Sequence, residues 1–152
     1  MITYRQAAPP DASQVLALLV EIMEHHGVTP PETARLAATI SSVLAASDHS
    51  FLVAESHGHL VGMCALVFSH STWSASSVCE LQDLVVTRSH RRGHVGRGLV
   101  QTAESIARSH GCSRLFLMAE SWNLDAHSFY RSLGLAEKTC LYFERDLLAD
   151  LR

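Results

Sequence analysis

A basic segment containing glycines follows a run of apolar residues, and it offers the clearest candidate chemistry in this chain. The apolar run ends in Leu84-Val85-Val86, and the segment then carries Arg88, further arginines, histidines and glycines as far as Gly98. Glycine lets backbone N–H groups approach a ligand closely, and arginine binds phosphate oxygens. Apolar residues at helical spacing follow, at Val95, Leu99, Ala103 and Ile106. The pattern predicts a strand, a phosphate-binding turn and a helix N-terminus, or a tight turn with a solvated basic face.

The segment Arg91-Arg92-Gly93-His94-Val95-Gly96 resembles the acyl-CoA loop Q/R-x-x-G-x-G/A of the GNAT N-acetyltransferase family. The resemblance implies that this loop, with Arg97, binds acetyl-CoA, and that Leu84, Val85 and Val86 pair with its pantetheine arm. His94 occupies the position of the usual first glycine. If that position requires φ > 0, His94 costs about 1 kcal/mol; alternatively, Gly93 forms the bend.

A second segment, from Asn123 to Leu135, reads N-L-D-A-H-S-F-Y-R-S-L-G-L and resembles the other GNAT signature, N-x-x-A-x-x-F/L-Y-x-x-x-G-F/L. Two motifs in this order are more specific than either motif alone, and the resemblance covers residues 50–145. It implies that Asn123 binds pantetheine and that Tyr130 is the general acid that protonates the leaving thiolate. A phenol with a pKa near 10 suits that role, and an aromatic core position is the alternative.

Glu80 is the candidate general base. It lies four residues before Leu84, where enzymes of the family carry a glutamate that accepts the amine proton, often through water. Such catalysis typically contributes about 10²–10⁴-fold. Strand alternation predicts that Glu80, Gln82, Leu84 and Val86 share one face and that Asp83 points to the other. The alternative for Glu80 is an exposed glutamate near the start of a strand.

The predicted elements run in the order βααβββαβαβ, which favours a mixed α/β sheet with helices on both faces. This is the order that the GNAT acyl-CoA N-acyltransferase fold implies. A capping box, Asp11 with Gln14, opens the first helix, and Thr29 opens the second. Between these helices, His25 and His26 either line the acceptor site or are exposed. Strands are predicted at residues 2–6, 51–55, 60–68, 78–86, 113–119 and 141–145.

Composition limits the function classes. The chain has 152 residues, of which 47% are hydrophobic, so one folded domain over residues 1–152 is predicted. The net charge of −3 disfavours nucleic-acid binding. We expect no membrane segment and no signal peptide, since no apolar run approaches the roughly 20 residues that span a bilayer. Four dispersed cysteines indicate free thiols in the cytoplasm, and ten scattered histidines predict no metal site.

The segments E-L-Q-D-L-V-V, D-A-H-S-F-Y and F-E-R-D-L are similar to small bacterial aminoalkylphosphonate and other small-amine N-acetyltransferases. The likeness implies acetyl transfer from acetyl-CoA to a small primary amine. Protein or peptide N-acetylation, aminoglycoside acetylation and a non-catalytic acyl-CoA-binding regulatory domain are alternatives. A phosphate- or RNA-binding domain and a hydrolase fit the sequence less well. The resemblance also implies a homodimer, since dimers are common in the family.

Overall fold

The computed structural model describes residues 1–148, which divide into two compact units on either side of Met118. Within residues 1–148, no helix combines the length and the apolar character needed to cross a membrane. The organisation of residues 1–152 as one domain stays a prediction. The helices and strands are β1 (Thr3–Gln6), α1 (Ala12–His25), α2 (Thr33–Ala45), β2 (His49–Ser56), β3 (His59–Ser71), β4 (Ser76–Val86), α3 (Val95–Ser109), β5 (Cys112–Phe116) and α4 (Leu124–Ser132).

The larger unit is built on a sheet whose spatial order follows the chain, β1-β2-β3-β4-β5. The first four strands are antiparallel, and β5 is parallel to β4. Since parallel neighbours need a crossover, α3 makes the connection from β4 to β5. The predicted mixed α/β class is confirmed.

Each face of the sheet is covered by helices. On one face, α1 and α2 pack against inward side chains of β2, β3 and β4, including Phe51, Val53, Met63 and Val85. On the other face, α3 packs against the sheet through residues at helical spacing, and its buried side chains are Val95, Leu99, Val100, Ala103 and Ala107. Burial of apolar surface at about 25 cal/mol per Å² holds these layers together.

Three predicted details of the secondary structure are wrong. The capping box does not form, because Gln14 instead accepts a hydrogen bond at 2.8 Å from the Leu60 N–H. Helix α2 begins at Thr33 rather than near Thr29. Within residues 1–148, the segment from Leu141 to Arg145 is not a strand, and its apolar side chains at 141–143 are 72–85% exposed. Strand β5 is a half-exposed edge strand.

A charged network replaces the predicted cap of α1. The Arg5 guanidinium donates to Asp11 at 2.7 and 3.0 Å and to Glu55 at 2.8 and 2.6 Å. Asp11 also accepts from the Ala8 N–H at 2.8 Å, although its side chain is largely buried. The hydrogen bond from Arg5 is the main reason that the pKa of Asp11 lies below its usual value. The network fixes the start of α1 to the β1–β2 edge.

We expect Arg5→Met to lower the free energy of unfolding by about 2 kcal/mol, because Asp11 would keep its charge without its partner. A lowered carboxyl pKa contributes stability above the unfolded-state value, and this contribution is lost as pH falls through the folded-state value. The difference between wild type and variant should therefore shrink below about pH 4. Urea titrations at several pH values measure it. The exposed Arg35→Met variant is the control, and equal effects of both would contradict the network's role.

Candidate active site

Strand β4 continues beyond its last pair with β5. The parallel pairing ends where Glu80 lies opposite Phe116, whereas β4 runs on to Val86. Leu84, Val85 and Val86 therefore have a strand partner on the β3 side but none on the other edge within residues 1–148. An unpaired strand edge presents backbone N–H and C=O groups, which an extended ligand containing amides can bind.

A β-bulge interrupts β4 immediately after Gln82. Asp83 and Leu84 together lie opposite Cys64 of β3, and the regular register resumes at Val85. Asp83 adopts the left-handed conformation, with φ of 53°, which aspartate tolerates better than most residues. Because one residue is inserted, the side-chain alternation reverses beyond the bulge.

The bulge corrects the predicted faces of β4. Glu80 and Gln82 share the face that α1 and α2 cover, since they pair with β3 residues of that face. Val85 also belongs to that core. Leu84 and Val86 were predicted on the same face as Glu80, but the reversed alternation places them on the α3 face, where Val86 lies near Leu99.

Two acidic residues of β4, Glu80 and Asp83, lie at or near the bulge. Glu80 is half-buried. Partial desolvation raises the pKa of Asp83; His49 and His26 counteract this rise, and the Glu80 charge adds to it. The bulge takes Asp83 out of the regular alternation of β4, and the prediction that it points to the face opposite Glu80 stays a prediction.

The basic loop bends at His94. This residue adopts φ of 64°, and Gly93 does not have positive φ, so the first of the two alternatives for the bend is correct. Arg92 is also left-handed, with φ of 63°. Helix α3 begins at the next residue, Val95, which directs the backbone N–H groups of its first turn towards the loop. The positive end of the helix dipole therefore lies beside exposed arginines.

Arg91 differs from the other arginines of the loop. Its Nε donates to the Val86 carbonyl at 2.9 Å, and its Nη2 lies 3.5 Å from a Glu21 carboxylate oxygen on α1. Arg91 thus connects the loop, the end of β4 and α1. Within residues 1–148, the remaining arginines of the segment form no ion pair and are exposed: Arg88, Arg92 and Arg97.

The smaller unit carries the second motif on α4. Asn123 is the N-cap of this helix, and its Oδ1 accepts from the Ala126 N–H at 3.2 Å. Tyr130 lies near the helix C-terminus, half-buried, with its ring edge-on to Phe129 at 5.1 Å between centroids. The structure thus places Asn123 and Tyr130 on one helix, and their predicted roles stay predictions.

Two side chains near the site were not singled out by the sequence. The Tyr4 hydroxyl donates to the Val95 carbonyl at 3.4 Å and lies so close to Gly98 that a Cβ there would be 2.0 Å from it. His49 has a buried Nε2 atom without a hydrogen-bond partner in residues 1–148. No local sequence pattern marks either side chain.

The buried thiols of the sheet are poor nucleophiles. Burial raises the pKa of Cys79 to about 11 and raises the pKa of Cys64 further. Neither forms the reactive thiolate at neutral pH. The site therefore favours direct transfer between bound substrates over a covalent enzyme intermediate on either of these two cysteines.

A sequence profile of the acetyltransferase (GNAT) family matches residues 12–135 of this chain. N-acetyltransferase family 8 member 3 of Rattus norvegicus is 33% identical over 93 residues, which are 61% of this chain and 40% of that protein. Streptothricin acetyltransferase of Streptomyces lavendulae is 32% identical over 91 residues, which are 60% of this chain and 46% of that protein. The chain thus spans less than half the length of either relative.

A solved structure shares the fold over nearly the whole chain. AAC(6')-Iy in complex with the bisubstrate analogue CoA-S-monomethyl-acetylneamine has a TM-score of 0.83 and 19% sequence identity. The alignment covers 96% of this chain and 98% of that chain. At this identity the likeness establishes the fold alone.

We expect His94→Gly to raise the free energy of unfolding by up to about 1 kcal/mol, because glycine removes the left-handed strain. His94→Ala is the matched control, since alanine keeps a Cβ and therefore the strain. Chemical denaturation of the three proteins measures the effect. Equal stabilisation by alanine and glycine would show that the imidazole, rather than the backbone conformation, is the source of the cost.

Proposed function

Because the chain belongs to the acetyltransferase (GNAT) family, we propose that it transfers the acetyl group of acetyl-CoA to a primary amine of a small molecule. One observation carries this proposal: the open edge of β4 joins Glu80 at one end to the basic loop at the other. An extended ligand on this edge would have its phosphates at the loop and its reactive end near Glu80.

The residues of the larger unit fit acetyl-CoA, which supplies an activated acetyl thioester. The backbone groups of Leu84, Val85 and Val86 would bind the amides of its pantetheine arm. Exposed Arg88, Arg92 and Arg97, together with the N–H groups at the start of α3, would bind its phosphates. Arg91 would hold the loop against β4.

Glu80 would accept the proton that an ammonium must lose before its nitrogen can attack a thioester carbonyl. It is half-buried beside the open edge, on the face that α1 and α2 cover. As the new C–N bond forms and the C–S bond breaks, Tyr130 would donate its phenolic proton to the departing sulfur. Glu80 would thus accept one proton, and Tyr130 would donate another.

The small-molecule class is supported by the names of a relative and a structural neighbour. One is a streptothricin acetyltransferase, and the other was solved with an acetylneamine-containing analogue. Turnover distinguishes this proposal from a non-catalytic acyl-CoA-binding domain. The homodimer and the cytoplasmic location implied by the resemblance stay predictions.

We expect Glu80→Gln to lower kcat/KM for the amine by roughly 10²-fold at neutral pH. The loss should diminish at higher pH, where the free amine becomes abundant and needs no base. Release of free thiol from acetyl-CoA, followed across pH, measures the effect. Glu32→Gln, at the exposed start of α2, is the control. A loss that is constant across pH would contradict the role of Glu80 as base.

We expect Tyr130→Phe to lower kcat by about 10- to 100-fold while leaving CoA affinity nearly unchanged, because the substitution removes only the hydroxyl. Tyr142→Phe is the control in the same unit, where Tyr142 is 72% exposed. Thiol release gives kcat, and calorimetric titration gives the CoA affinity. Full turnover by Tyr130→Phe would remove this residue from the mechanism.

A further inference from the structure

Strand β1 carries a side chain that reaches the helix whose N-terminus borders the basic loop. Tyr4 lies opposite Ala54 of β2, and its side chain is half-buried. The next residue, Arg5, bonds to Asp11 just before α1, on one face of the sheet. Since successive side chains of a strand point to opposite faces, Tyr4 extends towards α3 on the other face. Its hydroxyl donates to the carbonyl of Val95, the first residue of α3, at 3.4 Å.

The ring of Tyr4 lies directly against the first turn of α3 at Gly98. A Cβ at position 98 would overlap the Tyr4 hydroxyl and the ring carbon that bears it, and would lie 2.8 Å from Cε2. Rotating the hydroxyl alone would not relieve this overlap, so the whole ring would have to move. Glycine is one of the least favourable residues inside a helix, so its presence at position 98 needs a packing reason. The contact with Tyr4 supplies that reason.

The part of α3 that Tyr4 contacts is the part that would face a phosphate. Within residues 1–148, the His94 side chain does not cap the helix, and the Gly98 N–H donates to the His94 carbonyl at 3.0 Å. The N–H groups of residues 95–97 precede that bond and therefore have no acceptor inside the helix. The direction in which these N–H groups point depends on how the first turn is held.

A side chain holds the basic loop at each of its ends. At one end, Arg91 donates to the carbonyl of Val86, the last residue of β4, at 2.9 Å. At the other end, Tyr4 donates to the Val95 carbonyl. Both acceptors are backbone carbonyls, so each side chain fixes the course of the main chain itself. The loop, residues 87–94, thus has an anchor at each end, and Tyr4 is the anchor on the side of α3.

We propose that Tyr4 is a positioning residue for the phosphate-binding end of α3: through Val95 and Gly98 it sets the direction of the first N–H groups, and thereby the affinity for the phosphates of acetyl-CoA. The inference rests on the proposed function. Tyr4 would act through α3 and not by binding the substrate itself. Burial raises the pKa of Tyr4 above its usual value, so its hydroxyl keeps the proton that it donates at neutral pH.

The first test asks whether the contact between Tyr4 and Gly98 determines binding. Gly98→Ala should weaken CoA binding about tenfold, because the added Cβ displaces the ring or the first turn of α3. In Tyr4→Val protein, the same Gly98→Ala change should alter the Kd by less than about twofold, since the ring that the Cβ would overlap is gone. Calorimetric titration with CoA measures wild type, both single variants and the double variant. An equal loss in both backgrounds would overturn the role of Tyr4.

The second test separates positioning from stabilisation of the fold. Tyr4→Val should weaken CoA binding to the folded protein about tenfold. Tyr4→Phe keeps the ring on Gly98 and loses only a long hydrogen bond, so its Kd should stay within about threefold of wild type. Thr3→Val, an exposed change on the same strand, is the control. If Tyr4→Val lowers Tm and leaves the Kd unchanged, Tyr4 only stabilises the fold and the proposal is overturned.

A measurement without CoA distinguishes failure of this role from failure of the proposed function. If wild type binds no CoA, the proposed function fails, and hydrogen exchange of the Gly98 amide still tests Tyr4, because the bond of this amide to His94 closes the first turn. Exchange at least about threefold faster in Tyr4→Val than in wild type and Thr3→Val supports the positioning role. Equal exchange rates in the three proteins overturn it.

Discussion

The unequal pairing of β4 is the constraint on which the rest of this structure depends. On one side β4 must follow β3 to Val86, because its inward residues complete the core beneath α1 and α2. On the other side it leaves β5 after Glu80. Backbone N–H and C=O groups that would normally bond to a neighbouring strand therefore remain available to a ligand beside the Glu80 carboxylate. The helices bury both faces and hold this opening in place.

The bulge at Asp83 changes what the opening can do. By reversing the alternation, it returns Val85 to the core while Asp83 takes a left-handed conformation at the rim. The inserted residue thus keeps the core continuous and also adds a carboxyl group three residues after Glu80.

Much of the fold could be predicted from local patterns. Apolar alternation predicted the strands up to β4, and the 3.6-residue spacing of Leu99 and Ala103 predicted α3. Both patterns reflect the burial of one face of a single element. The bulge could not be predicted, since Leu84-Val85-Val86 reads as a regular strand. The partner of Asp11 was missed for a similar reason: the choice between its own helix and Arg5 is made by tertiary structure. Apolar residues 141–143 suggested a strand, but a strand also requires hydrogen bonds to a neighbouring strand, which a local apolar pattern does not reveal.

The edge strand β5 has a further consequence for motion. Strand β5 contains no fully buried side chain, and three of its residues pair with residues of β4. Segments with few buried contacts open locally at a small fraction of the global unfolding free energy. Amide protons of β5 should therefore exchange with deuterated solvent sooner than those of β3, whose core residues are almost inaccessible. The gap beside β4 can then widen while the hydrophobic layers stay folded.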